Sequence, residues 1–374
     1  MAVSQIDPNG LNVGQLGSRN LVTNGAMGIA QRGTSSTTNG YGSVDRFQTL
    51  YNGTDEAPTQ AQVDVASGTT PYTLGFRKAL KITNGNQTSG AGAADYLAIY
   101  NKIEGQDISS SGWSVTDPDS KLTLSYWVKS SVAQTFYGRF RAFASSQYEY
   151  TYSFALSANT WTKVTKTIIG NSNFSSLLNT NALGFFHNWQ CFFGTDYTNN
   201  KTLDEWAVKD NANKSPDMTS TWYTTNDATF EITGVQLEVS PTGEATPFEH
   251  ENYGTTLAKC QRYYERLNGP AGWYNAHGYA TNIYLVIEWK VPKRTASGSV
   301  YYSNTNFASM ITAYGNTGGS SAIDGVITGV STSIMGVTAL GLDVALSAST
   351  YTPFGSSVMY RLDASHWIAY DAEL

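Results

Sequence analysis

Charge is scarce in this sequence. Only 14% of the residues are Asp, Glu, Lys or Arg, and 29 acidic against 23 basic side chains leave a net charge of −6. A nucleic-acid binder carries a basic stripe that neutralises phosphates. The nearest thing to one here, Lys290, Lys293 and Arg294, is short and broken by Pro292, so nucleic acid is not an expected partner. Cysteine is scarcer still: Cys191 and Cys260 are widely separated and read as two buried free thiols rather than a disulfide framework. No apolar run approaches the roughly 18 residues of a membrane-spanning helix, which excludes membrane insertion by that route. The opening stretch MAVSQIDPNGLNVGQLG has neither the charged nor the apolar region of a signal peptide. The chain is therefore expected to be made in a cytoplasm and either to act there or to leave by a route other than secretion, such as assembly into a virus particle released by lysis.

Catalytic signatures are missing as well. A serine hydrolase places its nucleophile on a G-x-S-x-G elbow, and none occurs. His187, His250, His277 and His366 stand apart, without the H-x-x-x-H or H-E-x-x-H spacing that puts two imidazoles on one metal. There is no phosphate-cradling glycine loop between a strand and a helix. A glycosidase needs two carboxylates flanking a groove, and Asp45, Asp95, Glu104, Asp107, Glu149, Glu231 and Glu238 are candidates only in the sense that any chain with 29 acids offers some. The expectation is no enzyme and no cofactor.

What is present points to β-structure. Gly 35, Tyr 24, Phe 15 and Trp 9, with abundant Ser, Thr and Asn, suit pleated surfaces and the turns between them. Lys121–Ser131 alternates Leu122, Leu124, Tyr126 and Val128 against Thr123, Ser125, Trp127 and Lys129, the pattern of a strand with one face in a core. Thr135–Ala144 sets Phe136, Phe140 and Ala142 against Tyr137, Arg139, Arg141 and Phe143, and Tyr148–Leu156 repeats the pattern with Tyr148, Tyr150, Tyr152, Phe154 and Leu156. Trp161–Ile169, Leu183–Phe193 and Phe230–Val239 follow. Thr195–Thr221 is polar and reads as a long surface loop with one helical turn near Leu203–Val208. Beyond Pro241–Pro247, Tyr253–Leu267 has helical spacing at Leu257, Cys260, Tyr264 and Leu267, ended by Asn268-Gly269-Pro270. Strands are then expected at Thr281–Val291, Gly298–Tyr302, Ala308–Tyr314, Ala322–Val330, Ser331–Leu340, Val358–Leu362 and Trp367–Leu374. A length of 374 residues accommodates two domains.

Several stretches resemble a known class. Asn20–Arg32 (NLVTNGAMGIAQR) with Asp45-Arg46-Phe47 resembles the opening of a jelly-roll domain of bacteriophage tail proteins. Leu122–Ser130 and Trp161–Thr167 look like paired inner strands of carbohydrate-binding modules. Phe230–His250, running into Cys260–Glu265 (CQRYYE), is similar to the domain exit and linker of those tail proteins. Leu285–Arg294 and Trp367–Leu374 resemble the C-terminal β domain of phage tail fibres. The resemblance implies an all-β protein: an arm or connector over 1–19, a carbohydrate-binding-module-like jelly-roll sandwich over 20–250, and a short linking helix with a small C-terminal β-sandwich or barrel-like domain over 251–374. It implies a tail fibre or receptor-binding appendage subunit of the virion, a homotrimer contacting other tail or capsid proteins and host surface glycan. An architectural connector or capsid decoration, and a polysaccharide depolymerase, are the alternatives. A structural calcium ion held by first- and last-strand oxygens is also implied, with Asn24, Gly25 and Glu231 in the matching region and Ala26 where an acidic residue is usual.

Sugars offer C–H faces to aromatic rings and hydroxyls to directed hydrogen bonds. Trp127, an indole among polar strand neighbours, is one candidate platform, with burial under a loop or partner subunit as the alternative. The mixed face of Tyr137, Arg139, Arg141 and Phe143 is the second, suited to a sugar or an acidic glycan, with a subunit contact as its alternative. The loops around Tyr301–Phe307 and Asn316–Ser321 have the composition of recognition tips.

Overall fold

The computed structural model describes residues 18–177, 179–269, 274–279, 282–303, 311–315, 327–346, 357–362 and 366–374. The expected arm lies almost wholly outside them, as do most of the two expected recognition loops. The chain divides into two compact units, one running to Thr256 and joined by Leu374, the other spanning Leu257–Glu373.

The first unit is an antiparallel jelly-roll sandwich. Its strands are β1 (Ser35–Ser36), β2 (Phe47–Asn52), β3 (Thr59–Asp64), β4 (Lys78–Thr83), β5 (Tyr96–Glu104), β6 (Lys121–Ser130), β7 (Gln134–Phe143), β8 (Gln147–Leu156), β9 (Thr162–Ile169), β10 (Leu183–Phe193), β11 (Trp206–Val208) and β12 (Thr229–Val239). One sheet has the order β1-β3-β4-β12-β6-β9 and the other β11-β8-β7-β10-β5-β2. The alternation read from the sequence decides which side faces in: Leu122, Leu124, Tyr126 and Val128 of β6 are all buried in the main core, against Phe136 and Phe140 of β7, Tyr152 and Phe154 of β8, and Trp189 of β10. Inside this core Tyr126 Oη meets Tyr152 Oη at 3.1 Å, which meets His187 Nε2 at 2.8 Å. The two hydroxyls and one imidazole nitrogen thus partner one another inside the core.

Short helices α1 (Thr70–Thr73), α2 (Gly105–Ser109) and α3 (Thr221–Thr224) connect strands. The helical turn expected at Leu203–Val208 is absent: Leu203–Glu205 bend, and Trp206–Val208 form strand β11, with Trp206 opposite Tyr150 and Val208 opposite Tyr148.

Helix α4 (Tyr253–Gln261) is shorter than its sequence pattern. The expected second half is strand β13 (Tyr264–Asn268), in register with β21 (Trp367–Asp371) from Tyr264–Asp371 to Asn268–Trp367. Tyr263-Tyr264 and Leu267 suit either state, and the cross-strand partner settles it. The second unit holds β13, β14 (Tyr274–Tyr279), β15 (Asn282–Glu288), β16 (Ser299–Tyr302), β17 (Ile311–Gly315), β18 (Ile327–Met335), β19 (Ala339–Leu346), β20 (Ser357–Leu362) and β21. They form open sheets ordered β13-β21-β16 and β17-β20-β14-β15-β19-β18. The strand boundary expected at Val330–Ser331 is displaced: β18 continues to Met335, and the reversal comes at Gly336, whose N–H donates to Ala339 O at 3.0 Å.

Candidate functional site

Two of the places in the sandwich where aromatic rings meet polar groups lie at a sheet edge and on a sheet face. The first is a groove of about 450 Å³ along the edge where β9 of one sheet and β11 of the other are the outermost strands. Its walls carry Tyr150, Trp206, Asp204, Glu205, Asn171 and Asn173. Trp206 is fixed edge-on against Phe174, at 4.8 Å between ring centroids, and against Tyr150 at 5.5 Å. Its indole N–H donates to Ile169 O at 2.9 Å, tying the two sheets together. Burial, with Asp204 nearby, pushes the Tyr150 phenol up to about 12. Asp204 takes a left-handed conformation (φ 61°), and Lys166 Nζ lies 3.5 Å from its carboxylate. The volume is in the range of small-molecule sites, and the lining offers ring faces, amides and carboxylates, the groups that hold a sugar.

The second place is the outer face of the β11-β8-β7-β10-β5-β2 sheet, where the sequence placed Tyr137, Arg139, Arg141 and Phe143. All four lie on one face of β7, and β8 and β10 extend it. Arg141 stands opposite Glu149, Arg139 opposite Asn188, and Tyr137 opposite Gln190. Arg139 and Glu149 are almost completely buried. One oxygen of Glu149 takes Arg139 Nη1 at 2.5 Å and Arg141 Nε at 2.8 Å. Both guanidiniums lie over the Phe186 ring, at 5.4 and 4.9 Å from its centroid. Phe143 packs on the same ring at 5.8 Å. The polar 194–217 segment borders the cluster, held by Thr151 Oγ1 donating to Lys214 O at 2.9 Å. Desolvation and the nearby Arg139 and Arg141 lower the Lys214 ammonium to about 8.

Trp127 lies elsewhere. It is half-buried on the outside of the other sheet, in a small apolar cluster with Val65, Phe76, Ala79, Trp161 and Phe248. The segment after β12 returns over this cluster: Phe248 meets Phe76 at 4.9 Å and His250 Nε2 lies 2.9 Å from Leu74 O.

The residues named for a cation are not gathered. Asn24 uses its side chain internally, Nδ2 donating to Ile29 O and Asp45 O and Oδ1 accepting from Ile29 N. A side chain at Gly25 would strike Val235 O, its Cβ only 2.0 Å away. Glu231 pairs with Lys129 at 3.0 Å, roughly 13 Å along β12 from Val235. Among the described residues no group of three or more His, Cys, Asp or Glu converges.

Sequence reading missed Asn188 and Gln190, Lys201 and Lys214, and the groove residues Asp204 to Trp206. One signal was available: Phe186-His187-Asn188-Trp189-Gln190 alternates amides with rings inside a strand, which marks a polar outer face. The remaining residues come from a segment without periodicity.

No protein-family model matches the chain, and no curated protein matches it. Among solved structures, it is similar to a family 4 carbohydrate-binding module, at 13% identity over 51% of this chain and 94% of that one, with a TM-score of 0.26. It is also similar to the family 11 carbohydrate-binding module of a cellulosomal cellulase of Clostridium thermocellum (11%, 58% and 98%, TM-score 0.27). A third is the N-terminal cellulose-binding domain of Cellulomonas fimi β-1,4-glucanase C (15%, 57% and 98%, TM-score 0.26).

Proposed function

We propose that this chain is a non-catalytic, saccharide-binding structural subunit of a bacteriophage tail fibre or related appendage, homotrimeric in the particle, that contacts glycan on the host surface. The observation that carries the saccharide part is the β9–β11 groove, where Tyr150 and Trp206 are framed by Asp204, Glu205, Asn171 and Asn173. The phage part rests on the sequence resemblance over Asn20–Arg32 and Phe230–Glu265. The non-catalytic part is supported by how the candidate acids are engaged. Asp45 takes Gln31 N and Nε2, Asp95 takes Gly92 N, Glu149 takes Arg139 and Arg141, and Glu238 takes Thr246 N and Oγ1. Asp45 and Asp95 lie in connecting segments and Glu149 and Glu238 on opposite sheets, and none of these four lines the β9–β11 groove, whose carboxylates are Asp204 and Glu205.

One observation favours the architectural reading without glycan. Ile169 and Val208, on the two open edge strands beside the groove, are 42% and 61% exposed, and unpaired edges with apolar side chains invite a neighbouring chain. A glycan array probed with the full chain, beside Asn173→Ala and Glu205→Gln, decides between them. Hits that weaken in both variants support saccharide binding; an array without hits, together with particle density placing this edge against another subunit, supports the architectural role. Native mass spectrometry tests the trimer, and release of reducing ends from host polysaccharide would refute the non-catalytic reading.

A further inference from the structure

Two limbs of the polar segment after β10, 195–201 and 209–215, make one flap. They are bound to each other: Lys214 N donates to Tyr197 O at 2.7 Å and Asn199 N to Ser215 O at 3.0 Å. The rest of the sandwich holds them through Asp196 N on Ala93 O, Lys209 N on Gln147 O, and Thr151 Oγ1 on Lys214 O. The Tyr197 ring also stands edge-on to Tyr96 at 5.6 Å. Thr151 is the cross-strand partner of Arg139, so the last of these bonds seats the flap beside the buried arginine. Between the limbs, Trp206–Val208 is paired in β11 and the Trp206 indole is tied to Ile169 O. That strand is a fixed point about which both limbs can turn.

The closed position is costly for several groups at once. Lys201 is nearly buried and Lys214 half-buried, and neither forms an ion pair among the described residues. Around Lys214 stand Arg139 and Arg141 of β7, Glu149 of β8 and Lys209 of its own limb. Its Nζ faces rings, 4.0 Å from the Tyr197 centroid and 5.4 Å from that of Phe193. The one carboxylate in reach, Glu149, is already taken by both arginines. On the covered sheet face Asn188 and Gln190 are fully buried, and neither end of either amide has a protein partner. Ser215 Oγ, on the flap itself, is buried and unpartnered too. Water would relieve the charges and the amides alike, and segments with such unmet needs open before the rest of a fold does.

We propose that this flap is a reversible cover, which opens as a unit about β11 while the sandwich stays folded and seats more tightly when Lys214 is uncharged. Desolvation first, then the neighbouring arginines, lower the Lys214 ammonium to about 8 from its ordinary 10.5. In the open flap, where water surrounds it, the proton is held more firmly. The closed form therefore gains as pH rises between about 8 and about 10, and gains nothing further from this group on either side of that window. The proposal is independent of saccharide binding in the β9–β11 groove, since Tyr150, Asn171 and Trp206 stay in place.

Alkylation of the full chain carrying Ser215→Cys tests it, with iodoacetamide as the probe and peptide mass mapping as the readout. The introduced thiol should react more slowly in buffer than in denaturant, yet about tenfold or more faster than Cys191 in the same sample, which reports on opening of the core. Adding Lys214→Met should slow it about tenfold at neutral pH. Protection, the rate in denaturant divided by the rate in buffer, should rise from about pH 7.5 to about pH 9.5, and less so with Lys214→Met. Thermal melts establish that the variants fold, and Thr198→Cys on the other limb is the second probe if Ser215→Cys does not. Reaction as fast as in denaturant, reaction no faster than at Cys191, no slowing by Lys214→Met, or the same pH response in both backgrounds would each overturn the proposal. Glycan-array hits, or their absence, leave it untouched.

Discussion

Gly138 of β7 stands directly opposite Tyr152 of β8, and a Cβ at Gly138 would lie 2.3 Å from Cζ of the tyrosine ring. The ring is held in place at its far end, where its hydroxyl meets both Tyr126 and His187. Glycine is present because the ring needs the room. Elsewhere in a strand, glycine to alanine is mildly favourable. Here Gly138→Ala is expected to destabilise by about 1–3 kcal/mol through overpacking, read as a lower urea midpoint with an unchanged slope. An unchanged midpoint would show that the ring moves aside freely.

His187 makes stability pH-dependent. Burial, and next the charge of Arg139, hold its imidazole well below the ordinary value of 6.5. The unfolded chain therefore takes up this proton on acidification before the folded chain does. Stability from this group is complete above about pH 6.5 and is lost as pH falls below it, by up to about 1.4 kcal/mol per pH unit. Urea midpoints between about pH 8 and pH 5 should fall more steeply for the wild type than for His187→Gln, which cannot titrate. Parallel curves would assign the acid sensitivity to other groups.

The strands of the sandwich were legible wherever one side of the sequence was continuously apolar. Leu122 to Val128 and Phe136 to Ala142 gave both the strand and its inner face, because a one-residue slip would put the whole set into water. The element at Tyr264–Asn268 was not legible, since its residues tolerate helix and only Trp367–Asp371, about a hundred residues later, decides for strand. The site was half legible. Arg139 and Arg141 showed themselves as charges alternating with Phe140 and Ala142, but that Glu149 would join them is a matter of β7–β8 register. Asp204, Glu205 and Trp206 come together with Tyr150 and Asn171 only through the closing of two sheet edges, which leaves no local pattern.

Cys191 is completely buried, and burial raises its thiol far above the ordinary range. The thiolate is the reactive form, so little of it exists in the folded chain at neutral pH. Iodoacetamide should leave Cys191 unmodified in buffer and alkylate it in denaturant, as read by peptide mass mapping. Prompt labelling in buffer would mean that β10 opens locally.

Glu149 links both arginines, and the order of effects among its variants distinguishes a buried ion pair from simple packing. Glu149→Gln leaves two guanidiniums on the Phe186 ring with no counter-charge, and breaking a buried pair from one side typically costs about 3–5 kcal/mol. Arg139→Met leaves Glu149 still held by Arg141 Nε and keeps an unbranched apolar chain over Phe186, so its loss should be smaller. The double variant removes the carboxylate together with the more buried of its two cations. Its destabilisation should be less than the sum of the single effects, because the second change removes a charge that the first had stranded. Chemical denaturation of the four proteins gives this coupling directly, and strict additivity would show that the carboxylate and Arg139 stabilise the sheet independently.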